Sequence, residues 1–549
     1  MKKFRYAFAV LGLSLILTNC SEDFLEKTPI GRESPETFYL TQANCEMAVT
    51  AAYNVLITRH GFSRNYWFFG DCASDDSETG GEDTGQDQVE GQRIDQLLIL
   101  PGNLALSEFY NDMYQGIFRC NLAIENIPKG QFDAAIKNRL INEARFLRAF
   151  FHYHLNVVYG GVRIVDHALL PEEYEGSRNS VAEVLHFVQK EMSIAAANLP
   201  SEYGDNDKGR ASSGAALGYK LKALVFESSY AKLAASGNDP SNYFVGCVEK
   251  WDTALMVFTE IVALGVHSLE PDFFDLWPVT GENSSEHMFT GHSVSLANGG
   301  IEDINTNIVG GVHNVYQSCR SYFTADSLLN KNGRGQYGLN CPTPALVEEF
   351  ETGDPRLDIS FTMDYDPIYI YNPRPNIDTV FAAPSADSPT QMTNSKYDPF
   401  PWEWIDPAFH HGPRDLKFLR YADVILLAAE AAVEDGNPDL ARELLNRIRE
   451  RARNSGSTGV PAELTGTVTL NDVMHERRCE LALEAHRYFD IVRWGIADEV
   501  LTGTIRQTDI IHSTSPEPLV WVRGKHEFFP IPELEIIINK GLMLQNPGY

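Results

Sequence analysis

Residues 421–452 read YADVILLAAEAAVEDGNPDLARELLNRIRERA, and this stretch decides the fold. Tyr421, Ile425, Ala428, Ala429, Ala432 and Val433 recur at spacings of three and four, which puts them on one face of a helix. Leu440, Leu444, Leu445, Ile448 and Ala452 repeat the pattern on a second helix. Between the two, Gly436-Asn437-Pro438 is a stop followed by a start: glycine accepts the left-handed C-terminal position, asparagine caps, and proline opens the next helix. The unit is a helical hairpin of about the 34-residue size of a tetratricopeptide repeat.

Three more pairs follow the same rule. Leu217, Leu221, Leu224 and Val225 precede Trp251, Leu255, Phe258 and Ile261; helices at 139–159 and 181–199 form another pair, and 41–57 with 104–127 a fourth. Thr469 with Asp472 resembles a capping box that opens a final long helix. A single pair cannot cover its own apolar stripe, but stacked pairs bury their stripes jointly. The expected fold is mainly α, a tetratricopeptide-like scaffold of about four helix pairs. Two regions break the rhythm: residues 65–92, aromatic and then acidic, and residues 271–413, rich in Gly, Pro, Asn and aromatics without helical period. They are expected to be loops and short strands carried on the scaffold, where function usually resides. The chain then divides into residues 1–20, a helical part at 21–270 holding the 65–92 loop, and a part at 271–549. The last comprises the irregular 271–413 region, helical hairpins at 418–495 and a tail to 549.

The first twenty residues read as a secretion signal. Lys2, Lys3 and Arg5 precede an apolar run from Ala7 to Thr18, too short to span a hydrocarbon core of ~30 Å. Leu17-Thr18-Asn19-Cys20 reads as a lipobox, with Asn19 where Gly, Ala or Ser is usual, so that Cys20 would carry acyl chains and anchor the body. Ser21-Glu22-Asp23 resembles an acidic surface-export signal. Removing the signal takes the net charge from −30 to −33, which excludes nucleic acid as a partner and repels acidic lipid. Besides Cys20 there are seven scattered cysteines and no Cys-x-x-Cys pair, so no zinc ribbon or thioredoxin-like site is expected, while one or two disulfides remain open.

Several motifs in chain order resemble one family. They are Glu143-Ala144-Arg145-Phe146-Leu147-Arg148-Ala149 leading to Tyr159-Gly160-Gly161; Pro342-Thr343-Pro344 before Asp354-Pro355-Arg356-Leu357; and Arg420-Tyr421-Ala422-Asp423-Val424 leading to Ala429-Glu430-Ala431 and Ile448-Arg449-Glu450-Arg451-Ala452. The last quarter adds His475-Glu476-Arg477-Arg478-Cys479-Glu480-Leu481-Ala482-Leu483-Glu484, then Arg487-Tyr488-Phe489-Asp490-Ile491-Val492-Arg493-Trp494-Gly495, then Phe529-Pro530-Ile531-Pro532 and the closing Leu544-Gln545-Asn546-Pro547-Gly548-Tyr549. The chain resembles the SusD/RagB family, with Arg163 where the family usually has proline after Gly-Gly. The resemblance implies a surface-exposed lipoprotein of the Bacteroidetes outer membrane that binds a nutrient and works as a lid on a SusC-like TonB-dependent transporter. Oligosaccharide is the expected ligand. A RagB-like peptide receptor is the alternative, then a surface glycosidase, then a scaffold that binds only protein.

A pyranose offers an apolar CH face and a ring of hydroxyls, so its receptor needs aromatic rings beside carboxylates or amides. Trp67, Phe68 and Phe69 followed by Asp71, Asp75 and Asp76 supply both within one loop, and the family often places ligand contacts after its first helix. Trp277, Asn283, Tyr316, Tyr322, Trp402 and Trp404 are the further candidates, Trp277 being the one among them most expected in the core beside Phe273, Phe274 and Leu276, whereas Trp251 and Trp494 are assigned to packing. Residues 71–90 hold eight acids and no Lys or Arg. Counted from Asp75, a calcium loop would have Gln86 where a bidentate glutamate is required, which excludes an EF-hand but leaves a looser structural calcium site open. No cofactor is expected. His152 and His154 stand two apart and face opposite ways, no His-Glu-x-x-His occurs, and Gly291-His292-Ser293-Val294-Ser295 lacks the closing glycine of a nucleophile elbow. With 75 acids, carboxylate pairs suited to glycoside hydrolysis are unavoidable and carry no weight. Arg477, Arg478, Glu480, Glu484 and Arg487 suit ion pairs between helix layers, so a binding protein and not an enzyme is expected.

Overall fold

The computed structural model describes residues 35–81, 88–204, 207–293, 312–318, 322–324, 337–363, 367–368, 380–382, 388–397, 414–507 and 516–549. Its principal helices are α1 (Gln42–Tyr53), α2 (Leu104–Asn126), α3 (Ala134–Tyr159), α4 (Val181–Asn198), α5 (Ser213–Ala235), α6 (Trp251–Leu264), α7 (Tyr421–Glu434), α8 (Pro438–Asn454), α9 (Leu470–Glu480), α10 (Arg487–Arg493) and α11 (Glu533–Ile538). The four expected pairs form: α1 packs on α2, α3 on α4, α5 on α6 and α7 on α8. Successive pairs also stack, α2 on α3, α4 on α5 and α6 on α7, so each stripe is covered on both sides and one apolar core runs from Val49 of α1 to Leu445 of α8.

The caps match the local chemistry. Gly436 has φ +77°, and Asn437 accepts a bond from the Leu440 amide at 3.2 Å. Ser180 with Glu183 and Thr469 with Asp472 form reciprocal capping boxes, which satisfy two otherwise orphaned amides each. The expected final long helix is two. α9 stops at Glu480, Leu483 and Ala485 adopt positive φ of 57° and 60°, and α10 starts at Arg487. The break turns the Glu484 side chain inward to Arg420 and Lys396, which a continuous helix would not do.

Among the described residues, short strands appear only in and beside the irregular regions. They are β1 (Ser77–Glu78), β2 (His287–Gly291), β3 (Tyr322–Thr324), β4 (Cys341–Pro342), β5 (Phe361–Met363), β6 (Pro367–Ile368), β7 (Val380–Ala382), β8 (Met392–Asn394) and β9 (Leu416–Arg420). They pair antiparallel as β1–β4, β2–β9, β3–β7–β6 and β5–β8. β9 runs straight into α7 and delivers Arg420 to the centre of a buried ionic cluster.

There Glu480 receives Arg356 at 3.2 Å, Arg420 at 3.0 Å and Arg451. Glu286 takes Arg420 at 2.6 Å and Arg451 at 3.1 Å, Glu476 takes Arg356 at 2.6 Å and Arg449 at 2.8 Å, and Glu484 takes Arg420 at 2.7 Å and Lys396 at 2.8 Å. A second cluster joins Lys222 and Arg477 to Asp423, Arg477 and Arg493 to Asp490, and Arg493 to Glu430. Buried charges are tolerable only when each finds partners. The charged motifs of the last quarter therefore hold helix layers together, as their spacing suggests. Trp277 and Trp251 are core residues, and Trp494 donates to Glu430 at 3.1 Å beneath the Arg493 guanidinium.

Candidate functional site

Between α1 and α2 the chain makes a 3-10 turn at 54–57 and two wide helical turns at Arg59–Ser63 and Phe68–Cys72. This winding draws the aromatic run inward. Trp67 is 3% exposed, packs on Phe68 at 4.1 Å and donates its indole proton to the Ser63 carbonyl. Phe69, fully buried, lies between Phe109 and Phe529. The expectation that Trp67 and Phe69 offer open faces to a sugar is therefore corrected: α2, α10 and the tail offer these rings more apolar surface than water allows. Gly70 is required by the same packing, since a Cβ there would stand 2.3 Å from the Ala485 carbonyl oxygen.

The three aspartates are likewise committed to partners within the protein. Asp71, 1% exposed, accepts from the Asn340 amide and from the Ala485 N–H, both at 2.9 Å. Burial pushes its carboxyl up to about 7, and the two bonds offset only part of that. Asp75 and Asp76 meet Arg478 at 2.8 and 2.7 Å, and Arg487 adds 2.9 Å to Asp75. Burial alone would raise Asp75, but Arg487 and Arg478 outweigh it and hold it low; Asp76 stays raised. The Glu78 carboxylate accepts from the Gln507 amide. These carboxylates thus face arginines and amides, not a cation cage, and among the described residues no cluster of His, Cys, Asp or Glu could hold a metal ion. A raised carboxyl in a cleft would suggest a general acid, but Asp71 is buried and both its oxygens accept hydrogen bonds from the protein.

What the aspartates achieve is a join between the two irregular regions. Asn340, which donates to Asp71, also donates to Gln317 at 2.9 Å and accepts from Ser77, and Gln317 accepts in turn from Asn394. Thr343 donates through its hydroxyl to the Asp75 carbonyl and through its amide to the Asp76 carbonyl. The β1–β4 ribbon sits over this relay. Tyr316 lies in the same place but is 2% exposed; its backbone pairs with Leu339. Over it, at 5.3 Å between ring centres, lies Tyr337, 39% exposed. Among the described residues Tyr337 is the ring that this floor presents to solvent, and sequence reasoning passed over it. Its signal was Gly335-Gln336-Tyr337-Gly338, an aromatic set among glycines.

Asn283 stands apart from this floor. It is exposed at a polar groove of about 300 Å³ lined by Lys208, Arg210, His267, His287 and His292, where His292 contacts Asp415 at 2.7 Å. Tyr322 belongs to β3, but its side chain lies outside the described residues, as do Trp402, Trp404, Cys20 and the 82–87 part of the acidic run. Six cysteines, Cys45, Cys72, Cys120, Cys247, Cys341 and Cys479, are free thiols; no disulfide occurs among the described residues. No described helix is long and apolar enough to cross a membrane.

The family assignment follows from comparison. A model described as the SusD family matches residues 303–549, and one described as starch-binding associating with outer membrane matches residues 23–222. This chain belongs to the SusD/RagB family. SusD-like protein P25 of Formosa agariphila is 26% identical over 96% of both chains, and a SusD-like protein of Bacteroides ovatus is 24% identical over 96% of this chain and 95% of its own. The SusD/RagB fold is matched by a solved laminarin binding SusD-like protein at TM-score 0.71 and 23% identity, covering 92% of this chain and 99% of that one. Surface glycan-binding protein A from Bacteroides thetaiotaomicron, solved with laminarihexaose, gives TM-score 0.71 at 20% identity, covering 92% and 99%. Neither match points to an enzyme family.

Proposed function

We propose that this chain is a cell-surface glycan-binding lipoprotein that captures oligosaccharide and caps a SusC-like TonB-dependent transporter for import. The observation that carries the reading is the Tyr337 ring, half-open to solvent and backed by Tyr316, on the floor where both irregular regions meet. A tyrosine face covers the CH side of a pyranose while its hydroxyl reaches the ring substituents. The laminarin-binding and laminarihexaose-bound neighbours support a glycan over a peptide and a binder over a hydrolase. Acylation at Cys20 would moor the body to the outer membrane, and ligand held between lid and barrel would favour the closed pair through its extra contacts there. Isothermal titration against a panel of soluble glycans that includes laminarihexaose, with peptides of similar length alongside, tests the reading. Saturable heat with one glycan class is expected. Heat with peptides and none with any glycan overturns it in favour of a peptide receptor, and release of shorter sugars on long incubation would make the chain a glycosidase.

A further inference from the structure

A second surface, remote in sequence from the Tyr337 floor, is unusually apolar. α11 reads Glu-Leu-Glu-Ile-Ile-Ile and buries none of its residues. Leu534 is 60% exposed, Ile537 63%, Leu542 54% and Leu544 72%. Two loops lie alongside. The Glu533 amide donates to the Pro101 carbonyl at 3.0 Å, which brings in Leu98, Leu100 and Leu104, each more than half exposed. Asn539 accepts from the Gly176 amide at 2.9 Å, Lys540 pairs with Glu175, and Arg178 donates to the Leu544 carbonyl, which bring in Leu170 and Tyr174, both also more than half exposed. Nine large apolar side chains from three segments thus share one face. All nine are more than half exposed, and clusters of exposed apolar side chains of this kind mark interaction sites.

We propose that α11 with the 98–104 and 170–178 loops is the docking surface for a partner protein presenting an apolar element edged with lysine or arginine. The rim selects the occupant. Glu172, Glu173, Glu175, Glu533 and Glu535 lie on these segments against Arg163, Arg178 and Lys540, with Lys540 on Glu175 and His167 on Glu173, so acids still outnumber bases there, on a chain of net charge −30. A second copy would set this acidic rim against itself, and an anionic lipid surface would be repelled by it. A basic-rimmed protein surface satisfies both the apolar centre and the border. That the partner is the transporter rests on the function proposed above; the surface itself rests on these residues.

The test places a photo-crosslinking amino acid at Ile537, and as a control at exposed Val248, in the full-length acylated chain in its native host. Irradiation is expected to join position 537, and not 248, to one outer-membrane protein through a peptide that carries apolar residues next to Lys or Arg. The product should be lost in Ile537→Glu/Leu542→Glu, and its yield should fall about fivefold or more at about 1 M salt, where charges are screened within ~3 Å. Glycan titration and thermal midpoint of that double variant should equal the parent's, which separates lost docking from lost folding. A crosslink to a second copy, flotation with phosphatidylglycerol vesicles that the double variant loses, a product insensitive to salt, or no product at 537 overturns the proposal. Absence of glycan heat from the parent with the crosslink intact removes the functional reading and leaves the docking surface standing.

Discussion

Replacing Glu480 by glutamine should destabilise the protein by about 3 kcal/mol at neutral pH without touching the Tyr337 floor. The side chain is fully buried and takes three guanidiniums, from Arg356, Arg420 and Arg451. Burial alone would raise its carboxyl, but Arg451, Arg420 and Arg356 hold it at about 2, against an ordinary 4.5. A carboxyl held below its ordinary value means that the folded state favours the charged form, so losing that charge destabilises the fold. Removing one member of a buried pair costs ~3–5 kcal/mol in general, and the lower end applies because every arginine keeps another carboxylate: Asp354 and Glu476 for Arg356, Glu286 for Arg451, Glu286 and Glu484 for Arg420. The amide N–H₂ would also meet a guanidinium donor where an acceptor is needed. Because the folded value is depressed, the contribution is complete above pH 4.5 and fades as pH falls through about 2. The parent and Glu480→Gln should therefore differ most in urea midpoint at pH 7 and converge toward pH 3. A difference below about 1 kcal/mol at pH 7, or one that stays constant down to pH 3, would refute the reasoning.

Further outcomes are expected. Tyr337→Ala should weaken glycan binding by about 1 kcal/mol, roughly fivefold, with the thermal midpoint unchanged, whereas Trp67→Ala should cost ~3–5 kcal/mol of stability as a core truncation; titration and urea melts separate the two. Asp71 has a raised folded value near 7, so the stability it contributes is full below its ordinary 3.8 and is lost as pH rises through about 7. The difference in urea midpoint between the parent and Asp71→Asn should accordingly slope downward between pH 4 and 7 and be flat outside that window. Cys20→Ala should release the protein from membranes into the soluble fraction, read by sedimentation of lysed cells; retention in the pellet would exclude acylation as the anchor.

The helical frame was legible because its signals are local. The stripe of Tyr421, Ile425, Ala428 and Ala432 needs only one helix to make sense, and Gly436-Asn437-Pro438 punctuates it within three residues. The floor was not legible, because exposure is a property of what packs from elsewhere. Trp67, Phe68 and Phe69 look like a binding cluster until Phe109 and Phe529 close over them. Asp75 and Asp76 look like sugar acceptors until Arg478 and Arg487 arrive from some four hundred positions away. Even the break after Glu480 has a distant cause, since Glu484 turns in to Arg420 and the Ala485 amide is taken by Asp71.

That reach has a consequence for biosynthesis. Asp71 and Ala485 are 414 positions apart, and Asp71 and Asn340 are separated by 269. On a ribosome the first helix pairs can close as they emerge, but no nascent chain shorter than about nine-tenths of the whole can complete the shell around Asp71, and contacts this distant form slowly. The surface beneath Tyr337 is thus among the last parts of the molecule to mature, and a polypeptide cut short before Ala485 would keep much of its helical scaffold while leaving the shell around Asp71 open.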